Sequence, residues 1–112
     1  MEPINLRSQA LSAKDGEYIF GADDTGSHAC YMIYGVLKPG EKNRLVKPGG
    51  GHEEMVLAVS GDLEVTGAFA GRLPPGCAFH LVGEDSAYLE NTGAKEAVYV
   101  IAGGHSEGDP HH

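Results

Sequence analysis

Frequent turn signals constrain the fold of this sequence more than any other feature. Glycine supplies 17 of the 112 residues, which is about twice its average share, and the glycines fall between short runs of apolar, β-branched and aromatic residues. Only residues 8–14 suggest a turn of helix, and their periodicity is weak. Short runs bounded by turn residues predict an all-β sandwich or barrel. The predicted strands cover residues 29–37, 54–60, 62–66, 77–82, 87–90 and 96–102.

The length of the chain fits one domain with a single core. We expect an N-terminal arm with a first short strand at residues 1–28 and a barrel at residues 29–102. Residues 103–112 are polar, contain three histidines and end the chain, so we expect a flexible tail there.

The formal net charge of −8 disfavours nucleic acid and anionic membranes as partners, because both require a cationic surface. No apolar run approaches the roughly 18 residues of a membrane-spanning helix. The N-terminus lacks the basic and apolar regions of a secretory signal. Cys30 and Cys77 lie in apolar runs, where an unpaired cysteine acts as a small hydrophobic residue. We therefore expect a cytoplasmic protein with reduced thiols.

The stretch from residue 48 to residue 61 is the best candidate for a chemical site. A proline and three glycines lead into His52, Glu53 and Glu54, and an apolar run follows. Three ionisable groups at the start of a strand are costly unless they are solvated, paired or coordinated. Because residues two apart on a strand share a face, we expect His52 and Glu54 to point the same way and Glu53 to face solvent.

Several motifs in this order resemble the cupin family, and together they span residues 29–102. They are Leu37-Lys38-Pro39-Gly40, Glu54 with Gly61 after six intervening residues, and Gly76 with the turn at residues 82–84 and Asn91. The resemblance implies an all-β fold with a single small cupin-type jelly-roll β-barrel. It also implies a homodimer, which the unpaired edges of a sheet favour as well.

The same motifs lack most of the metal ligands that the resemblance implies. The two histidines expected before Glu54 would fall among residues 47–50, which are Lys-Pro-Gly-Gly, and the later histidine is replaced by Ala87. Only Glu54 remains of the usual four ligands. The standard iron, manganese or nickel site of the family is therefore absent.

A rearranged site is the next possibility that the sequence raises. His80 lies in the apolar run at residues 77–82, which is an unusual place for an imidazole unless it is paired. Imidazole and carboxylate groups suit a divalent transition metal such as zinc, nickel or iron. The candidate ligands are His52, Glu54 and His80, with His105 as a further one. A hydrogen-bonded histidine–carboxylate cluster without metal is the alternative.

Two functions of different classes follow. The first, which we favour narrowly, is a binding or accessory module that holds a small molecule or a metal ion in the barrel. The second is a metal-dependent enzyme of the oxygenase or isomerase type that uses His52, Glu54 and His80. An intermediate possibility is a metal-free isomerase or lyase that uses the His52–Glu54 pair. The sequence assigns no catalytic residue. The expected cavity is lined by His52, Glu54, Val56, Ala58, His80 and Ala87.

Overall fold

The computed structural model describes residues 1–106. It contains two short helices, α1 (Leu6–Ser12) and α2 (Ala22–Thr25), and nine strands. The strands are β1 (Glu17–Phe20), β2 (Cys30–Leu37), β3 (Arg44–Val46), β4 (His52–Ser60), β5 (Leu63–Gly67), β6 (Gly71–Leu73), β7 (Ala78–Val82), β8 (Ala87–Asn91) and β9 (Ala97–His105).

The strands form two antiparallel sheets, as the turn-rich sequence predicts. The first sheet has the order β1-β2-β9-β4-β7 and the second has the order β3-β8-β5-β6. Because neighbours in these sheets are mostly distant in the sequence, the chain crosses between the sheets repeatedly, as in a jelly roll. The all-β prediction is confirmed.

The core lies between the two sheets and is filled by alternate residues of each strand. On β4 the inward residues Val56 and Ala58 are buried, whereas Met55 and Leu57 face outward. The largest fully buried side chain is that of Tyr99, on β9. A second, smaller apolar cluster lies outside the first sheet, where Ala10 of α1 packs against Val36 and Val98.

The structure adds α2, β3 and β6 to the predicted elements, and it moves the ends of others. Helix α1 forms at residues 6–12 because Asn5 caps it, its side chain accepting a hydrogen bond from the Ser8 amide. Strand β9 continues to His105, so residues 103–105 of the expected tail belong to the first sheet. The rest of that tail, residues 107–112, lies outside the described residues.

Two further expectations concern the surface of the molecule. Cys30 and Cys77 are free thiols, and both are exposed rather than buried. Neither helix within residues 1–106 has the length and apolar composition needed to cross a membrane.

Candidate functional site

Among residues 1–106, Glu54 is the one acidic residue that is buried. It lies near the start of β4, where the inward positions of the strand are 54, 56 and 58, and only 4% of it is exposed. Strand β4 lies between β9 and β7, so the strand that carries Glu54 has a neighbouring strand on each side. A buried carboxylate in an apolar barrel is costly unless partners compensate for it, so its contacts show what the site can do.

The partner that reaches Glu54 is a tyrosine two strands away. Tyr31 on β2 lies opposite Gly103 on β9, and Gly103 lies opposite Glu54 on β4. The Tyr31 ring extends over Gly103, and its hydroxyl donates a hydrogen bond to the Glu54 carboxylate. A Cβ atom at residue 103 would lie 2.6 Å from the Tyr31 hydroxyl and closer still to its ring. The glycine therefore permits the contact.

Burial dominates the electrostatics of this pair. It raises the pKa of Glu54 above its ordinary value, and the nearby Glu17 carboxylate raises it further. The Tyr31 hydrogen bond and His52 act in the opposite direction, but the net shift is upward. Burial and the contact with Glu54 also raise the pKa of Tyr31, so this phenol stays a hydrogen-bond donor at neutral pH.

Two histidines complete this end of the barrel. The rings of His52 and His105 stack with their centroids 5.1 Å apart, and the Tyr31 ring centroid is 6.3 Å from that of His52. Nδ1 of His52 lies 3.2 Å from the Gly50 carbonyl oxygen and donates to it, since a carbonyl oxygen only accepts. Nε2 of His105 donates in the same way to the carbonyl oxygen of His28, at 2.9 Å. We call Tyr31, His52, Glu54 and His105 the mouth cluster.

His80 does not join this cluster. On β7 the inward side chains are Phe79 and Leu81, so His80 faces outward on the far side of the sheet from Glu54. Its Nε2 lies 2.8 Å from Oε1 of Glu53, which the alternation of β4 also turns outward. The expectation that His80 shares the interior with Glu54 is therefore corrected.

The other three residues of the expected cavity are part of the packed core. Val56, Ala58 and Ala87 are at most 1% exposed and belong to one cluster of buried side chains that fills the space between the sheets. They pack beneath Glu54, so they are part of the core and do not line an open cavity.

A second polar cluster, which the sequence did not predict, lies deeper along the same sheet. The Tyr99 ring on β9 passes over Gly35 on β2, and its hydroxyl donates to the Glu17 carboxylate on β1. Arg44 on β3 donates to the same hydroxyl at 2.5 Å and lies 3.7 Å from Glu17. The only sequence signal was Gly35, an isolated glycine inside an apolar strand, which is typical of a close approach by another group.

Arg44 also fastens the edge of the second sheet to the first. Its guanidinium group donates to the Asp15 carbonyl oxygen and lies 3.1 Å from the Glu41 carboxylate. Only 11% of its side chain is exposed. These partners all belong to other segments of the fold, so the second cluster has a structural role.

No model of a known protein family matches the sequence, and no curated protein matches it either. The structure resembles solved proteins at low sequence identity. TT1209 from Thermus thermophilus has a TM-score of 0.69 at 19% identity, over 94% of this chain and 98% of that one. The Cupin_2 domain of an XRE family transcriptional regulator from Enterobacter cloacae has a TM-score of 0.65 at 16% identity, over 81% of this chain and 98% of the other.

KdgF from Halomonas sp. has a TM-score of 0.64 at 15% identity, over 83% of this chain and 80% of its own. The chain has the cupin fold. Oxalate oxidase in complex with the substrate analogue glycolate has a TM-score of 0.67 at 17% identity, and the match covers 84% of this chain but 53% of that enzyme. Solved structures similar to this chain include an enzyme and a domain of a transcriptional regulator, so the fold alone does not indicate its function.

The residues of this chain do not fit the metal ion that the cupin fold implies. Among residues 1–106, no group of three or more histidine, cysteine, aspartate or glutamate side chains is arranged to hold a metal. Ala87 is buried in the core where the later histidine would lie, and His80 faces away. No chemical step through a metal follows from this donor set.

Proposed function

We propose that this cupin is a binding module that holds a small organic cation, such as a primary amine, at the mouth cluster. The observation that carries the proposal is the Glu54 carboxylate, which is 4% exposed and receives a hydrogen bond from the neutral Tyr31 hydroxyl. A carboxylate can accept about four hydrogen bonds, so acceptor sites remain for a ligand. The proposed ligand would supply the positive charge that balances the Glu54 carboxylate.

The charge of the surroundings supports a cation rather than an anion. The ion pairs of Arg7, Arg44, Lys47 and Arg72 are with other carboxylates. The chain as a whole carries a net charge of −8, and such a field raises the local concentration of cations. The positive charge of a bound ammonium group would favour the ionised form of Glu54 and so offset the effect of burial on its pKa.

The aromatic surroundings support an organic cation rather than a bare ion. Tyr31, His52 and His105 are half-buried, and their rings lie around the carboxylate side of the mouth. The face of a tyrosine ring attracts the positive charge of an organic ammonium ion. The donor set, in contrast, does not suit a metal ion. The binding function therefore has more support than the metal-dependent enzyme, which needed His80 beside Glu54.

The two free cysteines fit a reducing compartment, so we place this module in the cytoplasm.

A titration followed by ¹⁵N NMR tests the proposal. Ethanolamine, glycerol and glycolate are similar in size but are cationic, neutral and anionic at pH 7.5. We expect ethanolamine to shift the amide signals of Tyr31, Glu54 and Gly103, and we expect Glu54→Gln to abolish the effect. Glu64→Gln, at an exposed glutamate of β5, is the matched control and should bind as the parent does. A stronger response to glycolate or glycerol, or a response that survives Glu54→Gln, would contradict the proposal.

A further inference from the structure

A cavity of about 640 Å³ lies between helix α1 and the turn that follows β2. Its volume falls in the range of pockets that hold one small molecule. The cavity is remote from the mouth cluster, because it adjoins Val36 near the end of β2 whereas Tyr31 lies near the start of that strand. We call it the helix cleft; its lining includes Ala10, Leu11, Lys14, Val36, Lys38 and Pro39.

Backbone hydrogen bonds fix both walls of the helix cleft. On one side, the Val36 amide of β2 donates to the Gly16 carbonyl oxygen at 2.8 Å and so ties down the segment after α1. On the other side, the Gly40 amide donates to the Asn91 carbonyl oxygen at 3.0 Å. Because the walls are already ordered, a ligand binds here without the entropic cost of ordering a loop.

The floor of the helix cleft is apolar. Ala10 and Val36 are 0% and 6% exposed and belong to one apolar cluster. Leu11 and Pro39 line the same cavity and are exposed, with 54% of Leu11 open to solvent. A ligand with an apolar body therefore gains free energy by removing this surface from water.

Two glutamates that line the helix cleft already have partners within the fold. Oε1 of Glu41 accepts a hydrogen bond from the Lys38 amide at 2.9 Å, and its Oε2 lies 3.1 Å from Nη2 of Arg44. The Glu96 carboxylate pairs with Arg7. Because each of these acids has an arginine within ion-pair distance, the remaining charged groups decide what the cleft attracts.

The lysines of the helix cleft have no carboxylate partner. Within residues 1–106, Lys14 and Lys38 form no ion pair, and both are exposed. The remaining acid, Asp15, accepts a hydrogen bond from the Glu17 amide. Two ammonium groups and one carboxylate leave one positive charge at the cleft. Salt screens charges that lie more than about 8 Å away, so this local charge outweighs the net charge of −8 carried by the whole chain.

From this arrangement we infer that the helix cleft binds a small organic monocarboxylate with an apolar chain, such as a short-chain fatty acid. The carboxylate lies between Lys14 and Lys38, and the chain covers Leu11 and Val36. One net positive charge matches a monoanion, whereas a phosphate dianion brings a second negative charge close to Asp15. This ligand is opposite in charge to the one proposed for the mouth cluster, so the two sites can be tested separately.

A titration of the full chain followed by ¹⁵N NMR tests this inference. Hexanoate, 1-hexanol and hexylamine have the same chain length but are anionic, neutral and cationic at pH 7.5. We expect hexanoate to shift the amide signals of Ala13, Lys14 and Lys38, and we expect the other two to shift them far less. Hexylamine instead reports on the mouth cluster through Tyr31 and Gly103, so failure of either site is seen independently of the other.

Substitution of the two lysines tests the charge contact. Lys14→Gln and Lys38→Gln should each raise the dissociation constant of hexanoate about threefold, and together about tenfold, as expected for exposed ion pairs. Lys47→Gln is the matched control, because Lys47 is a surface lysine that pairs with Glu84 and does not line the cleft. It should bind hexanoate as the parent does. The amide spectrum itself shows that each variant is folded.

The chain length of the ligand tests the apolar floor of the helix cleft. Acetate should bind about tenfold more weakly than hexanoate, because it has little apolar surface to remove from water. Equal binding of acetate and hexanoate would overturn the inference, as would a response of the cleft signals to 1-hexanol or hexylamine that equals the response to hexanoate. Absence of any hexanoate shift at the cleft, or binding that survives the double lysine substitution unchanged, would overturn it as well.

Discussion

Tyr31 and Glu54 are joined by a hydrogen bond across strand β9 because the residue between them, Gly103, has no side chain. The same arrangement recurs one strand away, where Tyr99 passes over Gly35 to reach Glu17. In both cases a tyrosine and a glutamate on strands two apart meet inside the barrel. The first pair lies beside the His52 ring, and the second is held by Arg44.

Gly103→Ala should separate Tyr31 from Glu54, because the new Cβ would lie 2.6 Å from the phenol oxygen. We expect the free energy of unfolding to fall by about 1–3 kcal/mol, the usual cost of overpacking, as measured by urea denaturation. Gly50→Ala is the control, since its nearest neighbour would be 3.7 Å away. Combining Gly103→Ala with Tyr31→Ala should reduce the loss that Gly103→Ala causes; an undiminished loss would place the clash elsewhere.

Tyr99→Phe should destabilise the protein although it removes a single oxygen atom. The Tyr99 hydroxyl donates to Glu17 and accepts from Arg44 in a fully buried position. Leaving these partners unsatisfied costs about 1–3 kcal/mol. Tyr88→Phe, at an exposed tyrosine of β8, should change the free energy of unfolding by less than about 0.5 kcal/mol. Equal effects of the two substitutions would show that the buried network is not stabilising.

Arg44→Ala should cost far more stability than Arg72→Ala. The side chain of Arg44 is 11% exposed and contacts both Glu17 and Glu41, and breaking a buried ion pair costs about 3–5 kcal/mol. Arg72 is 62% exposed and pairs with Asp62 on the surface, where a pair contributes about 0–1 kcal/mol. Thermal unfolding of both variants in one buffer makes the comparison, and similar melting temperatures would contradict it.

The free energy of unfolding should depend on pH through the titration of Glu54. Its pKa is raised on folding, mainly by burial, so the folded state binds this proton more tightly than the unfolded state does. The stabilising contribution of the protonated form is therefore complete below the unfolded pKa of about 4.3 and is lost as the pH rises through the folded value. Glu54→Gln removes this dependence.

The measurement is the difference in free energy of unfolding between Glu54→Gln and the parent protein, from pH 4 upward to pH 7. We expect the difference to increase with pH in favour of the glutamine variant. The same series for Glu64→Gln controls for the loss of one negative charge. A difference that stays constant, or that decreases with pH, would show that Glu54 is not disfavoured in its ionised form.

The sequence allowed the fold to be predicted because turns and strand alternation are local properties. Alternation also placed Glu54, Val56 and Ala58 on one face of a strand, and the structure buries all of them. For His80 the same rule was insufficient. It identifies residues that share a face but not which face is inward, and the run at residues 77–82 is apolar at both parities.

The polar contacts of the interior could not be predicted because they join distant segments. Tyr31 reaches Glu54 over Gly103, and nothing near Tyr31 in the sequence indicates the register that brings them together. Arg44 lies outside all of the predicted strands, yet it is on β3 and is nearly buried. A glycine inside an apolar run was the only local sign of such contacts.

The most direct test of the central claim is to measure which cation the protein holds. The claim is that the counter-charge of Glu54 is an organic cation rather than a metal ion. Elemental analysis of the full chain with His111→Ala and His112→Ala excludes metal captured by that histidine pair. We predict zinc, nickel and iron well below one ion per chain, with ethanolamine binding retained. Close to one metal ion per chain, lost on His52→Ala, would contradict the account.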